Sequence, residues 1–147
     1  MGLSEQLMED LKDAMRKHDE IRVSTIRFAR AAITNEQIEK RRPLEESEIV
    51  GVLAKQVKQR RESIEEFQKG NRPDLVAKEQ AEMEILLSYL PKQMTREEIE
   101  DAARATIQEV GATSANDFGK VMSRLAPQLR GRADGKVIGE VVRGLLH

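Results

Sequence analysis

Six cations, Lys120, Arg124, Arg130, Arg132, Lys136 and Arg143, stand against Asp117, Asp134 and Glu140 in residues 115–147, a local charge of +3. On a helix, residues three or four apart share a face. A cationic ridge of that kind can track a phosphate backbone, giving binding that weakens with salt and carries little sequence choice. Two further ridges have similar spacing: Lys55, Lys58, Arg60 and Arg61, and then Arg22, Arg27 and Arg30. From them Arg27, Lys55, Lys58 and Arg61 join the candidate phosphate contacts. The plainer reading of any one ridge is a solvated outer face with i,i+4 partners, as in Arg61 and Glu65. Phe28, Phe67, Phe118 and Tyr89 are the only aromatics. That is too few to stack on single strands, so an RNA partner would be a folded one read by shape.

Other groupings suggest less chemistry. Arg132-Ala133-Asp134-Gly135-Lys136 reads first as a turn with a helix cap. It is also a basic loop at a helix N-terminus, where backbone N–H groups and the dipole favour an anion. Glu79, Glu82 and Glu84 could be offered as a metal site, but bundle metal sites add inward histidines at fixed positions, and a solvated acidic face is the better reading. His18 and His147 lie far apart without a partner motif, and both are expected at the surface. There is no Cys, and neither a G-x-S-x-G elbow nor a serine–lysine signature appears. A Walker loop and a dinucleotide-binding glycine motif are missing too. The expectation is a protein without catalytic centre, metal or cofactor.

The composition describes what must hold these residues. A charged fraction of 35% is well above the usual value of about 25%. Few aromatics and little Pro or Gly suit amphipathic helices with charged outer faces, and no alternating run suggests a strand. The net charge of −1 supplies no global field toward nucleic acid or membrane. No stretch approaches the ~20 apolar residues of a membrane span. The opening residues are acidic and amphipathic, unlike a signal peptide, and match a myristoylation signal only loosely. The expected compartment is the cytoplasm.

The helical period defines seven elements. Leu7, Leu11, Ala14 and Met15 form the face of a first helix, with Ser4 its expected N-cap. Asp19 caps a second, carrying Arg22, Ile26, Ala29 and Ile33 inward, and Pro43 closes the segment. A third runs from about Glu45 to Lys69 on Ile49, Leu53, Val57, Ile64 and Phe67, ended by Gly70 and Asn71. Pro73 opens a fourth, with Val76, Met83, Leu86, Leu87 and Leu90. Beyond Pro91, Thr95 and Glu98 form a capping box before Ile99, Ala102, Ala103, Ile107 and Val110, with Gly111 past the end. Ser114 and Asp117 repeat that spacing before Phe118, Val121, Met122 and Leu125. Pro127 and Gly131 interrupt, and Asp134 caps a last helix bearing Val137, Ile138, Val141, Val142 and Leu145. The reading is all-α, with an N-terminal helical domain over 1–91 and a three-helix domain over 92–147.

Four segments together resemble the YqeY-like family: Arg22-Val23-Ser24-Thr25-Ile26-Arg27, Lys58-Gln59-Arg60-Arg61-Glu62-Ser63-Ile64, Tyr89-Leu90-Pro91 and Gly131-Arg132-Ala133-Asp134-Gly135-Lys136. The resemblance covers essentially the whole chain. It implies a four-helix region followed by a three-helix domain of the GatB/YqeY type, similar to the tail of the B subunit of the aspartyl/glutamyl-tRNA amidotransferase. That tail helps hold tRNA while the chemistry is done elsewhere. Family members are therefore often labelled carbon–nitrogen ligases with glutamine as amide donor. The chain lacks the catalytic cradle, an ATP site and the amidase signature, so the label reads as ancestry. The expectation that follows is an accessory that binds tRNA, or a tRNA-bearing enzyme, through the tail-like domain. The alternative is a protein-interaction adaptor working through the acidic stretches Glu79–Glu84 and Glu97–Asp101.

Overall fold

The computed structural model describes residues 2–146 and is all-helical, with no strand among them. The elements are α1 (Leu3–Arg16), α2 (Glu20–Lys40), α3 (Glu46–Lys69), α4 (Pro73–Leu87), α5 (Arg96–Val110), a 3-10 turn (Ala115–Asp117), α6 (Phe118–Gln128) and α7 (Gly135–Leu145). The chain divides into two units, Met1–Leu90 and Pro91–His147. No helix among the described residues is long and apolar enough to cross a membrane. The surface position expected for His147 lies outside the described residues, while His18 is exposed.

Helix ends follow local chemistry closely. Asp19 caps α2 by accepting from the Arg22 N–H at 3.2 Å, and Thr95 with Glu98 forms the capping box of α5. Three helices of the first unit end on a non-glycine residue with left-handed backbone, His18, Arg41 and Asn71. At each, the next N–H reaches back five residues: Asp19 to Ala14 at 2.9 Å, Arg42 to Gln37 at 3.2 Å and Arg72 to Phe67 at 2.9 Å. These are Schellman closures, which satisfy carbonyls the helix leaves open. The residue expected to share that duty, Gly70, has φ −82; Asn71 holds the left-handed position alone.

Two other local expectations are corrected. The N-cap of α1 is Gly2, and Ser4 lies inside the helix. Glu46 at the start of α3 does the capping across space, its carboxylate accepting from the Leu3 N–H at 3.1 and 3.2 Å. A Cβ on Gly2 would stand 2.8 Å from that carboxylate, so a larger residue there would make the Glu46 side chain shift. Pro127 does not stop α6 but lies within its last turn, where it leaves the Ser123 carbonyl without an i+4 backbone donor, and the helix ends one residue later.

Each unit buries its own apolar cluster. In the first, Leu7 and Leu11 of α1 meet Ile26, Ala29 and Ile33 of α2, Ile49, Leu53 and Val57 of α3, and Leu86 of α4. Met15, placed on this face by periodicity, is 49% exposed, because Leu7, Leu11 and Ala14 already complete the narrow stripe α1 can bury. Tyr89 closes the cluster, its hydroxyl donating to Asp10 Oδ2 at 2.5 Å. Burial and that acceptor push the Tyr89 hydroxyl well above its ordinary value of 10. In the second unit, Ile99 and Ala103 of α5 meet Val121 and Leu125 of α6 and Ile138, Val141 and Val142 of α7.

The largest departure concerns charge. Glu79 and Glu82, expected on a solvated face, turn inward onto α3 and close around Arg60. Nη1 of Arg60 lies 3.7 Å from Glu79 Oε2 and its Nε 3.2 Å from Glu82 Oε2. The three side chains are 17%, 17% and 10% exposed. The Arg60 guanidinium also lies 5.5 Å from the centre of the Phe28 ring on α2. The pattern carried a signal for this, since Glu79, Glu82 and Leu86 follow the 3–4 spacing of an inner stripe. Glu84 remains exposed. One arginine therefore ties α3 to α4 and to α2.

A nearly buried cation between two carboxylates is costly to break from one side. Arg60→Met should destabilise the chain by about 3–5 kcal/mol in denaturant unfolding, and adding Glu79→Gln and Glu82→Gln should recover most of that. A loss below about 1 kcal/mol would mean that the carboxylates are effectively solvated. Tyr89→Phe leaves Asp10 without its donor and should cost about 1–3 kcal/mol; an unchanged unfolding midpoint would remove Tyr89 from the closure of the first unit.

Candidate nucleic-acid interface

The second unit separates its charges by element. α5 carries Glu97, Glu98, Glu100, Asp101 and Glu109 against Arg96 and Arg104. Several of these neutralise one another: Arg96 and Arg104 each lie 3.7 Å from Glu100, and Arg104 lies 3.3 Å from Asp101. The six cations of residues 115–147 lie on α6, on α7 and in their connection, and all six are exposed.

Packing decides how they group. Lys120 and Arg124 lie one turn apart on α6, but Arg124 is drawn onto Glu109 of α5 by an ion pair. Lys136 and Arg143 share a face of α7, two turns or about 10 Å apart. Arg143 reaches back to the start of α6, its guanidinium 4.6 Å from the Phe118 ring centre, a cation–π contact that orders the side chain without neutralising it. Gly139 lies beneath this pair, where a Cβ would meet the Arg143 guanidinium at 3.7 Å and the Phe118 ring at 3.8 Å, both ordinary van der Waals contacts. Phe118 is thus an orienting residue that motif reading placed only in the core.

Arg130, Arg132 and Lys136 belong to the other end of the α6–α7 pair. Their loop turns on Gly131, which is buried with φ 79, and it is clasped by the segment entering α5. Gln93 Nε2 donates to the Gly131 carbonyl at 2.7 Å and the Met94 N–H to the Arg132 carbonyl at 2.8 Å. Asp134 caps α7 through the Lys136 N–H at 3.1 Å. The cap reading of the loop therefore holds, and the aspartate occupies the place an anion would take. With the backbone held from both sides, the Arg130 and Arg132 side chains point outward from a fixed platform. With backbone N–H groups as the main cause, Lys120 and Arg132 are near enough to Asp117 and Glu98 to help hold those carboxyls below their ordinary values.

The first-unit candidates are dispersed. Arg27 on α2 is exposed beside Met15, its Nη2 3.9 Å from the sulfur. Lys55 and Lys58 are exposed on α3, Arg61 is half-buried and engaged by a neighbour, and Arg60 is committed to Glu79 and Glu82. Arg22 is bound to Asp13 at 3.2 Å. Among the described residues no three histidine, aspartate or glutamate side chains gather as metal ligands.

Comparison with known proteins completes the description. The model of the family described as Yqey-like protein matches residues 4–146. A protein of Pyrenophora tritici-repentis named altered inheritance of mitochondria protein 41, mitochondrial, is 35% identical over 132 residues, covering 87% of this chain and 71% of the relative. Proteins of the same name from Eremothecium gossypii and Lachancea thermotolerans are 42% identical over 100 residues and 39% over 101. The matched parts cover 67% and 68% of this chain but only 55% and 54% of those relatives. These names overturn the expectation of a cytoplasmic protein, since the relatives are mitochondrial by name; a Cys-free, membrane-span-free composition does not tell one reducing aqueous compartment from another. The match over nearly all the described residues establishes that this chain belongs to the YqeY-like family.

Proposed function

We propose that this chain is a tRNA-binding accessory, acting on tRNA or on a tRNA-bearing enzyme through the α6–α7 side of its second unit, with the chemistry done by another protein. The observation that carries the proposal is the distribution of charge in that unit: five acids on α5, of which Glu100 and Asp101 pair with its own arginines, and six exposed cations on α6, α7 and their clasped loop, of which Arg124 is drawn onto Glu109. A cationic surface on a fixed scaffold suits the sugar–phosphate path of a folded RNA, where shape matters more than base identity. Few aromatics are exposed to stack on unpaired bases. By the names of its relatives, the setting is mitochondrial.

The adaptor alternative has a smaller acidic surface than the sequence suggested. Glu79 and Glu82 face Arg60, which leaves Glu84 and the stretch Glu97 to Asp101 as its ground. A partner retained after nuclease treatment would favour it. Amide transfer would need glutaminase activity in pure protein, lost on changing a named residue.

Binding of the full chain to bulk tRNA across a salt series, with double-stranded DNA as control, tests the proposal. Affinity should fall with salt and favour tRNA. Replacing Arg130, Arg132 and Lys136 together by Gln should weaken it and flatten the slope of log affinity against log salt by about 2–3. Unchanged affinity and slope in the folded triple variant would reject the assignment.

A further inference from the structure

Helix α2 is apolar on two faces, and one of them has no cover within the unit. Ile26, Ala29 and Ile33 point into the core. On the opposite side Ile21, Ser24, Phe28, Ala31, Asn35 and Ile38 are all exposed, with Ile21 at 43%, Phe28 at 59% and Ile38 at 69%. All the large hydrophobics exposed among the described residues lie on α1 or α2. A helix with apolar residues on both sides is ordinarily covered on both. The spacing of the outer stripe is 3, 4, 3, 4, 3, the a/d pattern of a helix that packs against another helix.

We propose that this ridge pairs with the same ridge of a second copy of the chain, the two α2 helices running antiparallel about a two-fold axis near residues 28–31. In register, the antiparallel direction sets the bulky Phe28 against a small residue, whereas the parallel one sets Phe28 on Phe28. Aligned end to end, Ile21 meets Ile38 of the second copy, Ser24 meets Asn35, and bulky Phe28 meets small Ala31. Apolar faces apolar, hydroxyl faces amide, and large faces small. A slip of one heptad sets Phe28 against Ser24 and leaves Ile38 unpaired.

Charge complementarity selects the same arrangement. Glu20 flanks one end of the stripe and Arg41 the other, both exposed. Antiparallel pairing brings Glu20 of each copy toward Arg41 of the other, whereas in parallel pairing the flanking positions opposite Glu20 and Arg27 are Thr25, which is buried, and Ala32. A trough lined by Met15, Val23, Arg27, Phe28 and Ala31 runs beside the ridge and gives room for the second copy's Phe28. Arg60 backs the Phe28 ring and holds it as a fixed knob. With Ser, Ala and Asn among its six positions, the stripe predicts a reversible dimer.

Sedimentation of the full chain from micromolar to millimolar concentration tests this. The expected result is a monomer–dimer equilibrium that Ile38→Glu shifts at least about tenfold toward monomer. Glu20→Arg should also weaken it by setting two arginines face to face, and Glu20→Arg with Arg41→Glu should restore it. Direction is read separately, because the chain has no cysteine. The double variant Ile21→Cys/Ile38→Cys should oxidise to a covalent dimer. Ile21→Cys alone should not, since the two copies of that position would stand about 25 Å apart along the axis. A monomer at millimolar concentration, a dimer indifferent to Ile38→Glu, or ready cross-linking of the single variant would each overturn the proposal.

Discussion

The packing of the first unit turns on one arginine. Arg60 lies mostly buried on α3, and an isolated charge there would be expensive. Glu79 and Glu82 of α4 supply the opposite charge, and Phe28 of α2 supplies a ring face. Three helices are thereby committed to one register, because sliding α4 by a turn would strand both the cation and the carboxylates. Apolar packing around Leu53, Val57 and Leu86 tolerates more variation than a charge cluster does. Gln56 extends the same seam, its Nε2 donating to the Phe28 carbonyl at 3.4 Å. The polar seam specifies an arrangement that the apolar core stabilises. It also fixes Phe28 at the surface, in the middle of the outer stripe of α2.

The second unit solves a different problem. Its helices are short, with 15, 11 and 11 residues in α5, α6 and α7, and their exposed cations would repel one another if left mobile. Backbone clasps from Gln93 and Met94 fix the α6–α7 loop, and the Phe118 ring orders Arg143. Orienting a cation costs side-chain entropy. The structure meets part of that cost in folding, before any ligand arrives. Most acids lie on α5 or serve as caps, as Asp134 and Asp117 do, and the one acid on α7, Glu140, lies 3.9 Å from Arg96 of α5. Backbone N–H groups of Thr113 and Ser114 hold the Asp117 carboxyl below its ordinary value of 3.8, so that acid stays charged while serving the turn.

Much of this was legible in the residues. The all-helical class followed from composition and the 3.6-residue period, and the caps at Asp19, Thr95, Ser114 and Asp134 followed from side-chain chemistry that acts within three residues. What the sequence concealed acts over longer distances. Glu46 caps α1 from 43 residues away. Arg60 belonged by spacing to a basic ridge, and only the approach of α4 shows that it faces inward. Glu79 and Glu82 were misread because charge was taken to mean solvent, though their spacing to Leu86 marked an inner stripe. The outer stripe of α2 is hidden in the sequence because Ile26, Ala29 and Ile33 already supply the helix with one complete apolar face. Family resemblance was carried by segments that the structure uses at its joints: Tyr89 at the close of the first unit, and Gly131 to Lys136 at the clasp of the second.

The central claim is that the α6–α7 side of the second unit is a prepared cationic surface for folded RNA. Amide chemical shifts of the full, isotope-labelled chain, followed as tRNA is added at low salt, test it most directly. Perturbations are expected at Lys120, Arg130 to Lys136 and Arg143, reversed by added salt, with the outer face of α5 from Glu97 to Asp101 unaffected. Perturbations centred on α5, or none anywhere at low salt, would contradict it.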